Sequence, residues 1–204
     1  MMNKIARLGA ILFGITAATG AILGGVQAVT SEPIARQREA QKNRALAATL
    51  PGAKAFAPLK TAPEHGLIAE IAAGAEGDKT LGWCFTVDVK GFGGPMKVVV
   101  GINAEGAVTG VSMLEMSETP GLGARTAEPA FTGQFAGKGP KGALAVTKTP
   151  PENERQVQAV SGATISSRAV TGAVNAARAY WRMNLSPEPK KSQHLLDALT
   201  GASL

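Results

Sequence analysis

In the run Val160-Ser161-Gly162-Ala163-Thr164-Ile165-Ser166-Ser167, the Thr164 hydroxyl stands on a glycine-bearing turn just before a segment with helical periodicity. Ile165, Ala169, Val170, Ala173, Val174, Ala177 and Trp181 follow the spacing of one buried helix face, with Arg168, Asn175 and Arg178 elsewhere around the helix. The start of such a helix offers unpaired backbone N–H groups and the positive end of the helix dipole. That combination receives phosphate, and a hydroxyl placed there can also carry the phosphate as an ester. Read alone, the stretch is equally an ordinary Ser/Thr N-cap, in which a side chain satisfies the same amides.

A second run, Ser117-Glu118-Thr119-Pro120-Gly121-Leu122-Gly123, lies about forty residues upstream, after a strand pattern. Pro120 removes a backbone donor and the glycines permit positive φ, so this loop can approach a ligand more closely than bulky residues would allow. Together, an SGAT turn before a helix and an ETPGLG loop after a strand resemble the FMN-binding domain of the G subunit of the Rnf ion-translocating oxidoreductase. The homologous C subunit of the sodium-pumping NADH:quinone reductase shares that domain. Gly91-Phe92-Gly93-Gly94-Pro95, Val99-Val100-Gly101-Ile102 and Gly106 match in order, so the resemblance covers nearly the whole chain.

The resemblance implies one covalent FMN, held as a phosphoester on Thr164 within the turn Ser161, Gly162, Ala163. It also implies that Thr119, Gly121 and Leu122 give backbone and apolar contacts to the flavin. Glu118 either orients neighbouring donors or is a solvated carboxylate. The family's acceptor pattern has an acidic residue three positions before the serine, where this chain has Gln158. Glutamine forms hydrogen bonds but brings no negative charge, which bears on recognition by the flavin transferase expected as maturation partner.

No paired acid and base, catalytic triad or nicotinamide fingerprint is visible, so the chain reads as a relay whose redox chemistry belongs to the cofactor. The implied setting is a place among the other subunits of an Rnf complex, moving electrons between reduced ferredoxin and NAD. The compact length favours the Rnf G subunit over the usually longer C subunit of the quinone reductase. A relay of that quinone-reductase type and a membrane-tethered FMN-binding sensor or regulatory domain are the alternatives.

Composition narrows the rest. The 204 residues suit one domain with an appendage. Lys and Arg number 21 against 15 Asp and Glu, but the excess is scattered without aromatic interleaving, which argues against nucleic-acid binding. Cys84 is the only cysteine, which excludes an intrachain disulfide and a CxxC cluster ligand pair. His65 and His194 are far apart in sequence and make no convincing metal site.

From Leu8 to Ser31 the chain runs 24 residues without a charge. At about 1.5 Å per residue that is enough to cross a hydrocarbon core of roughly 30 Å. Lys4 and Arg7 precede the run and favour a cytoplasmic N-terminus, although Arg36, Arg38, Lys42 and Arg44 follow at similar range. Cleavage after Val26-Gln27-Ala28 is the competing reading, but the uncharged run is longer than a signal peptide's apolar region of about 7–15 residues. Either way, the rest of the chain is expected outside the cytoplasm, on the outer side of the bacterial inner membrane. Gly20 and Gly24 make a GxxxG spacing that suits close helix packing.

The expected order is a membrane anchor over 1–31, a juxtamembrane helix and linker over 32–66, an FMN-binding domain over 67–184 and a tail over 185–204. Residues 33–50 read as a polar, solvated spacer helix ended by Pro51-Gly52. Strands are expected over 67–72, 83–90, 96–102, 107–116, 143–148 and 156–160, with a short helix over 126–137. Trp83 and Phe85 belong to the core on this pattern, or one of them borders the flavin. The resulting fold class is α+β, a mainly antiparallel sheet with packed helices.

Overall fold

The structure, a computed structural model, describes residues 2–59 and 66–187. His65, His194 and the tail from residue 188 lie outside the described residues. Contacts divide the chain into two compact units, Met1–Asn43 and Arg44–Leu204. Helix α1 (Met2–Thr49) is long and apolar enough to cross a membrane, and its apolar stretch is exposed.

The second unit is built on a five-stranded antiparallel meander: β1 (Ala55–Pro58), β2 (Ile68–Glu76), β3 (Lys79–Lys90), β4 (Pro95–Asn103) and β5 (Val108–Met116), adjacent in that order. In β3 and β4 the period-two pattern is realised in register, Phe85 opposite Val100 and Val87 opposite Val98. After β5 come two 3-10 turns, Gly123–Ala127 and Gly133–Phe135, around the one-turn helix α2 (Pro129–Thr132). The expected short helix over 126–137 is thus broken, with Pro129 restarting it. Phe131 and Phe135 nevertheless meet edge to face at 5.4 Å and fill the core. A parallel pair, β6 (Ala145–Thr147) and β7 (Gln156–Gln158), leads into α3 (Thr164–Asn184).

Helix α3 lays Val170, Ala173, Val174, Ala177 and Trp181 on the sheet face made by Phe85, Val87, Val98, Val100 and Ile102. Trp83 is half-buried against this same cluster, which assigns it to the core. The opposite face carries Ala72, Cys84 and Val99, and is covered by Ala45, Leu46 and Leu50. The spacer expected over 33–50 is therefore solvated only in part, because its last turn is buried against the sheet. β1 likewise lies in the stretch expected as linker, where its short length and Pro58 weaken the strand signal.

Candidate functional site

Helix α3 starts with Thr164 as its first residue; the N-cap position is Ala163, and no side chain caps the helix. The reading of Ser161 to Ser167 as an ordinary Ser/Thr N-cap is thereby corrected: no hydroxyl takes up the first-turn amides, which have no intrahelical partner. Gly162 holds φ at +78°, a left-handed conformation that brings the chain round into the helix. Ser167 ties the turn from inside, its Oγ accepting from the Val160 N–H at 3.0 Å and donating to the Ala163 carbonyl at 2.9 Å.

The second loop arrives against this turn. The Leu122 N–H donates to the Thr119 carbonyl at 3.2 Å, with Pro120 and the positive-φ Gly121 at the two central positions, the pattern of a type II turn. Gly121 therefore shapes the loop. Leu122 lies beside Gly162, where an added Cβ would stand 3.1 Å from its Cδ2.

Glu118 joins three elements. Its Oε1 accepts from the Phe92 N–H at 2.8 Å and from the Ser166 hydroxyl at 2.9 Å, and its Oε2 from the Gly93 N–H at 3.2 Å. The β3–β4 turn, the loop after β5 and the first turn of α3 are thus fastened to one carboxylate. Gly91 and Gly123 leave room for it: a Cβ at either position would collide with the Glu118 carboxylate. Of the two sequence readings of Glu118, the orienting one describes this geometry.

Between these segments lies a pocket of about 300 Å³. Glu118, Thr119, Leu122, Gly162, Ala163 and Thr164, all singled out from sequence, line it. Ser161 instead faces a neighbouring hollow of about 290 Å³ that it shares with Gln158, Arg125 and Glu128. The Gln158 backbone is held there by the Gln134 amide, which accepts its N–H at 2.8 Å and donates to its carbonyl at 3.2 Å.

Sequence reasoning missed Phe92, Gly123, Ile165 and Ser166 as lining residues. Ile165, which the helical period places on the buried face, is 53 % exposed at the pocket, as are Phe92 at 72 % and Leu122 at 48 %. An aromatic side chain between glycines, outside any strand period, was the available signal for Phe92. The residues present fit a phosphate ester joined to a flat apolar group. Uncapped amides and a hydroxyl stand at one side, and exposed apolar side chains border the opening.

These two loops and the first turn of α3 fall within residues 91–179, which match the model of the FMN-binding domain family. This part of the chain is an FMN-binding domain. Residues 1–48 match the model of the RnfG N-terminal region. The G subunit of the Na(+)-translocating ferredoxin:NAD(+) oxidoreductase complex of Acetobacterium woodii is 34% identical over 182 residues, covering 83% of this chain and 87% of that one. The proton-translocating counterpart from Clostridium ljungdahlii is 33% identical over 160 residues, covering 78% and 82%. The chain belongs to the RnfG family, the G subunits of Rnf ion-translocating oxidoreductase complexes. The crystal structure of the C subunit of the Na(+)-translocating NADH-quinone reductase from Parabacteroides distasonis superimposes with a TM-score of 0.51 at 19% identity, covering 72% of this chain and 93% of that one. That likeness establishes the fold.

Proposed function

We propose that the chain is a membrane-anchored electron relay of a ferredoxin:NAD oxidoreductase complex, with one FMN held as a phosphoester on Thr164. The observation that carries this reading is the meeting of the Thr164 hydroxyl, the uncapped first turn of α3 and the loop Glu118–Gly123 around one pocket. The bound flavin would supply one- and two-electron redox chemistry. The protein's part is to hold and orient. The first-turn amides of α3 would hold the phosphate, Gly162 lets the turn close, and Glu118 keeps Phe92 and Ser166 in place at the pocket. Phe92, Leu122 and Ile165, exposed at the pocket, would offer apolar surface to the ring.

Residues 8–31 are read as the membrane-spanning segment, with the N-terminus cytoplasmic and the flavin domain on the outer side. In α1, Leu12, Phe13, Ile22 and Leu23 are all exposed. The hydroxyls of Thr16, Thr19 and Thr30 donate to the carbonyls of Leu12, Ile15 and Val26 at 3.0, 2.9 and 2.7 Å. A helix that satisfies its own hydroxyls and presents apolar side chains outward suits a bilayer. On that outer side free flavin is scarce, and an ester bond prevents its loss; a flavin transferase would install it. The other subunits of the complex are the partners, and the match of residues 1–48 favours the Rnf role over that of the quinone-reductase C subunit.

The test is peptide mass spectrometry of the chain expressed with a flavin transferase. The FMN increment is expected on Thr164, absent in Thr164→Ala and partly retained in Thr164→Ser, where the nucleophilic oxygen survives. An increment that persists in the alanine variant moves the acceptor to Ser161, Ser166 or Ser167 and ends the assignment.

A further inference from the structure

About four turns along α3 from Thr164, the helix presents a second cavity of very different chemistry. It has a volume of about 420 Å³ and is bordered by Lys138, Lys141, Leu144, Glu154, Arg155 and Arg178. An adjoining hollow of about 450 Å³ shares Lys141, Glu154 and Arg155. Four cations thus face one carboxylate in a concavity within the roughly 300–1,000 Å³ range of small-molecule sites.

Arg178 is the decisive residue. The helix period places it with the polar residues, yet it is only 3% exposed. Its guanidinium donates to the Gly139 carbonyl through Nε at 2.9 Å and again through Nη2, to the Lys141 carbonyl at 3.2 Å, and to Asn175 Oδ1 at 3.1 Å. Every one of those acceptors is neutral. Among the described residues, none of Lys138, Lys141, Arg155 and Arg178 forms an ion pair, whereas Lys54, Lys97 and Arg125 each have an acidic partner. Burial and, next, the nearby Arg182 push Arg178 down from its ordinary value. Burial likewise lowers Lys138, with Glu154 opposing and Arg178 adding to the effect.

A buried cation without a counter-ion is costly, and the cost falls when an anion completes it. Lys138 donates to the Glu154 backbone carbonyl at 2.6 Å and is held at the wall, while Lys141 and Arg155 are exposed at the opening. We propose that this cavity binds a phosphate group, from a soluble phosphate ester or a lipid headgroup, through Lys138, Lys141 and Arg155, with Arg178 supplying fixed positive charge behind them. The guanidinium of Arg155 matches two phosphate oxygens, and the lysines add charge-assisted hydrogen bonds. This site stands independently of the flavin on Thr164.

Calorimetric titration of the full chain in phosphatidylcholine nanodiscs with inorganic pyrophosphate tests it. Saturable binding is expected, weakened at least tenfold by Lys141→Glu with Arg155→Glu and unchanged by Lys54→Glu with Lys79→Glu. Both pairs carry the same charge change, and the first leaves the opening turn of α3 intact, so phosphate bound there would not respond. Weaker apparent pyrophosphate affinity in nanodiscs containing phosphatidylglycerol identifies the lipid phosphate as occupant; equal affinity in both identifies a soluble ester. No saturable binding, or equal losses in the two double variants, overturns the proposal.

Discussion

Val98, Val100 and Ile102 of β4 turn toward α3, while Val99 between them meets Ala45, Leu46 and Leu50 on the opposite side of the same sheet. The two faces are closed by parts of the chain far apart in sequence, and they have different tasks. The α3 face ends in the pocket, which only the first turn of the helix lines. The other face is closed by close approach: a Cβ at Gly101 would collide with the Thr49 carbonyl oxygen, and one at Gly110 would come within 3.0 Å of Thr49 Cα. Thr109 donates its hydroxyl to that same carbonyl. One face is thus open at its tip, and the other is shut by close backbone contact.

The largest expected effect comes from removing the cover altogether. A fragment beginning at Leu67 retains both loops and α3 but loses β1, Leu46 and Leu50. Each buried leucine contributes about 1.5–3 kcal/mol, against a total stability of about 5–15 kcal/mol for a domain. The fragment from Leu67 should show no cooperative thermal transition, whereas one from Arg44 should melt sharply. Equal melting of the two would mean that the second cluster contributes nothing.

Gly101→Ala attacks the same face by addition. Forcing a methyl against the Thr49 backbone should cost about 1–3 kcal/mol, the usual range for overpacking, read as a lowered urea midpoint. Flavin attached per folded molecule should not change, because the substitution lies on the face away from the pocket. A selective loss of flavin with normal stability would show that the two faces are coupled.

This contrast also explains what was legible in the sequence. Strand β3 alternates so regularly that its inward residues Trp83, Phe85 and Val87 could be read directly, whereas the unbroken run Val98-Val99-Val100 in β4 shows a strand without saying which face is which, and the two glycine-bearing loops carried the site. Leu46 and Leu50 could not be placed in the same way. They end a helix rich in Arg, Lys and Ala, and their burial depends on a sheet formed by residues some twenty to sixty positions later. Ile165 and Arg178 fail the helical pattern for a related reason: the first borders a pocket completed by the loop after β5, and the second answers carbonyls at Gly139 and Lys141. Periodicity reports which way a side chain points along its own helix, and it is silent on what another segment brings there.

Cys84 offers a smaller test of the closed face. Burial pushes its thiol up from an ordinary 9.0 to about 11, with the Thr49 contact opposing the shift. The folded-state value is raised, so the stability associated with the neutral thiol is complete below pH 9 and is lost as pH rises toward about 11. The melting temperature should fall more steeply over that interval in the native chain than in Cys84→Ala. Identical slopes would indicate that the thiol is solvated.

The smallest effect on stability, and the most informative about the open face, is expected from Glu118→Gln. The amide oxygen can keep the Phe92 N–H and Ser166 hydroxyl, but the NH2 group then faces the Gly93 N–H, two donors with no acceptor between them. Losing one such hydrogen bond costs about 0.5–1.5 kcal/mol, a shift of roughly 2–4 °C per kcal/mol in a domain of this size. Flavin attachment, followed by in-gel fluorescence over time, should slow far more than that modest change implies, because the β3–β4 turn is then held by one bond and pushed away by the donor pair at Gly93, beside the pocket. Glu118→Asp, which keeps the charge but is one methylene shorter, should recover attachment only in part. If Glu118→Gln lowers the melting temperature as much as Gly101→Ala and leaves the attachment rate untouched, Glu118 is a strut of the fold and the division of labour between the two faces is wrong.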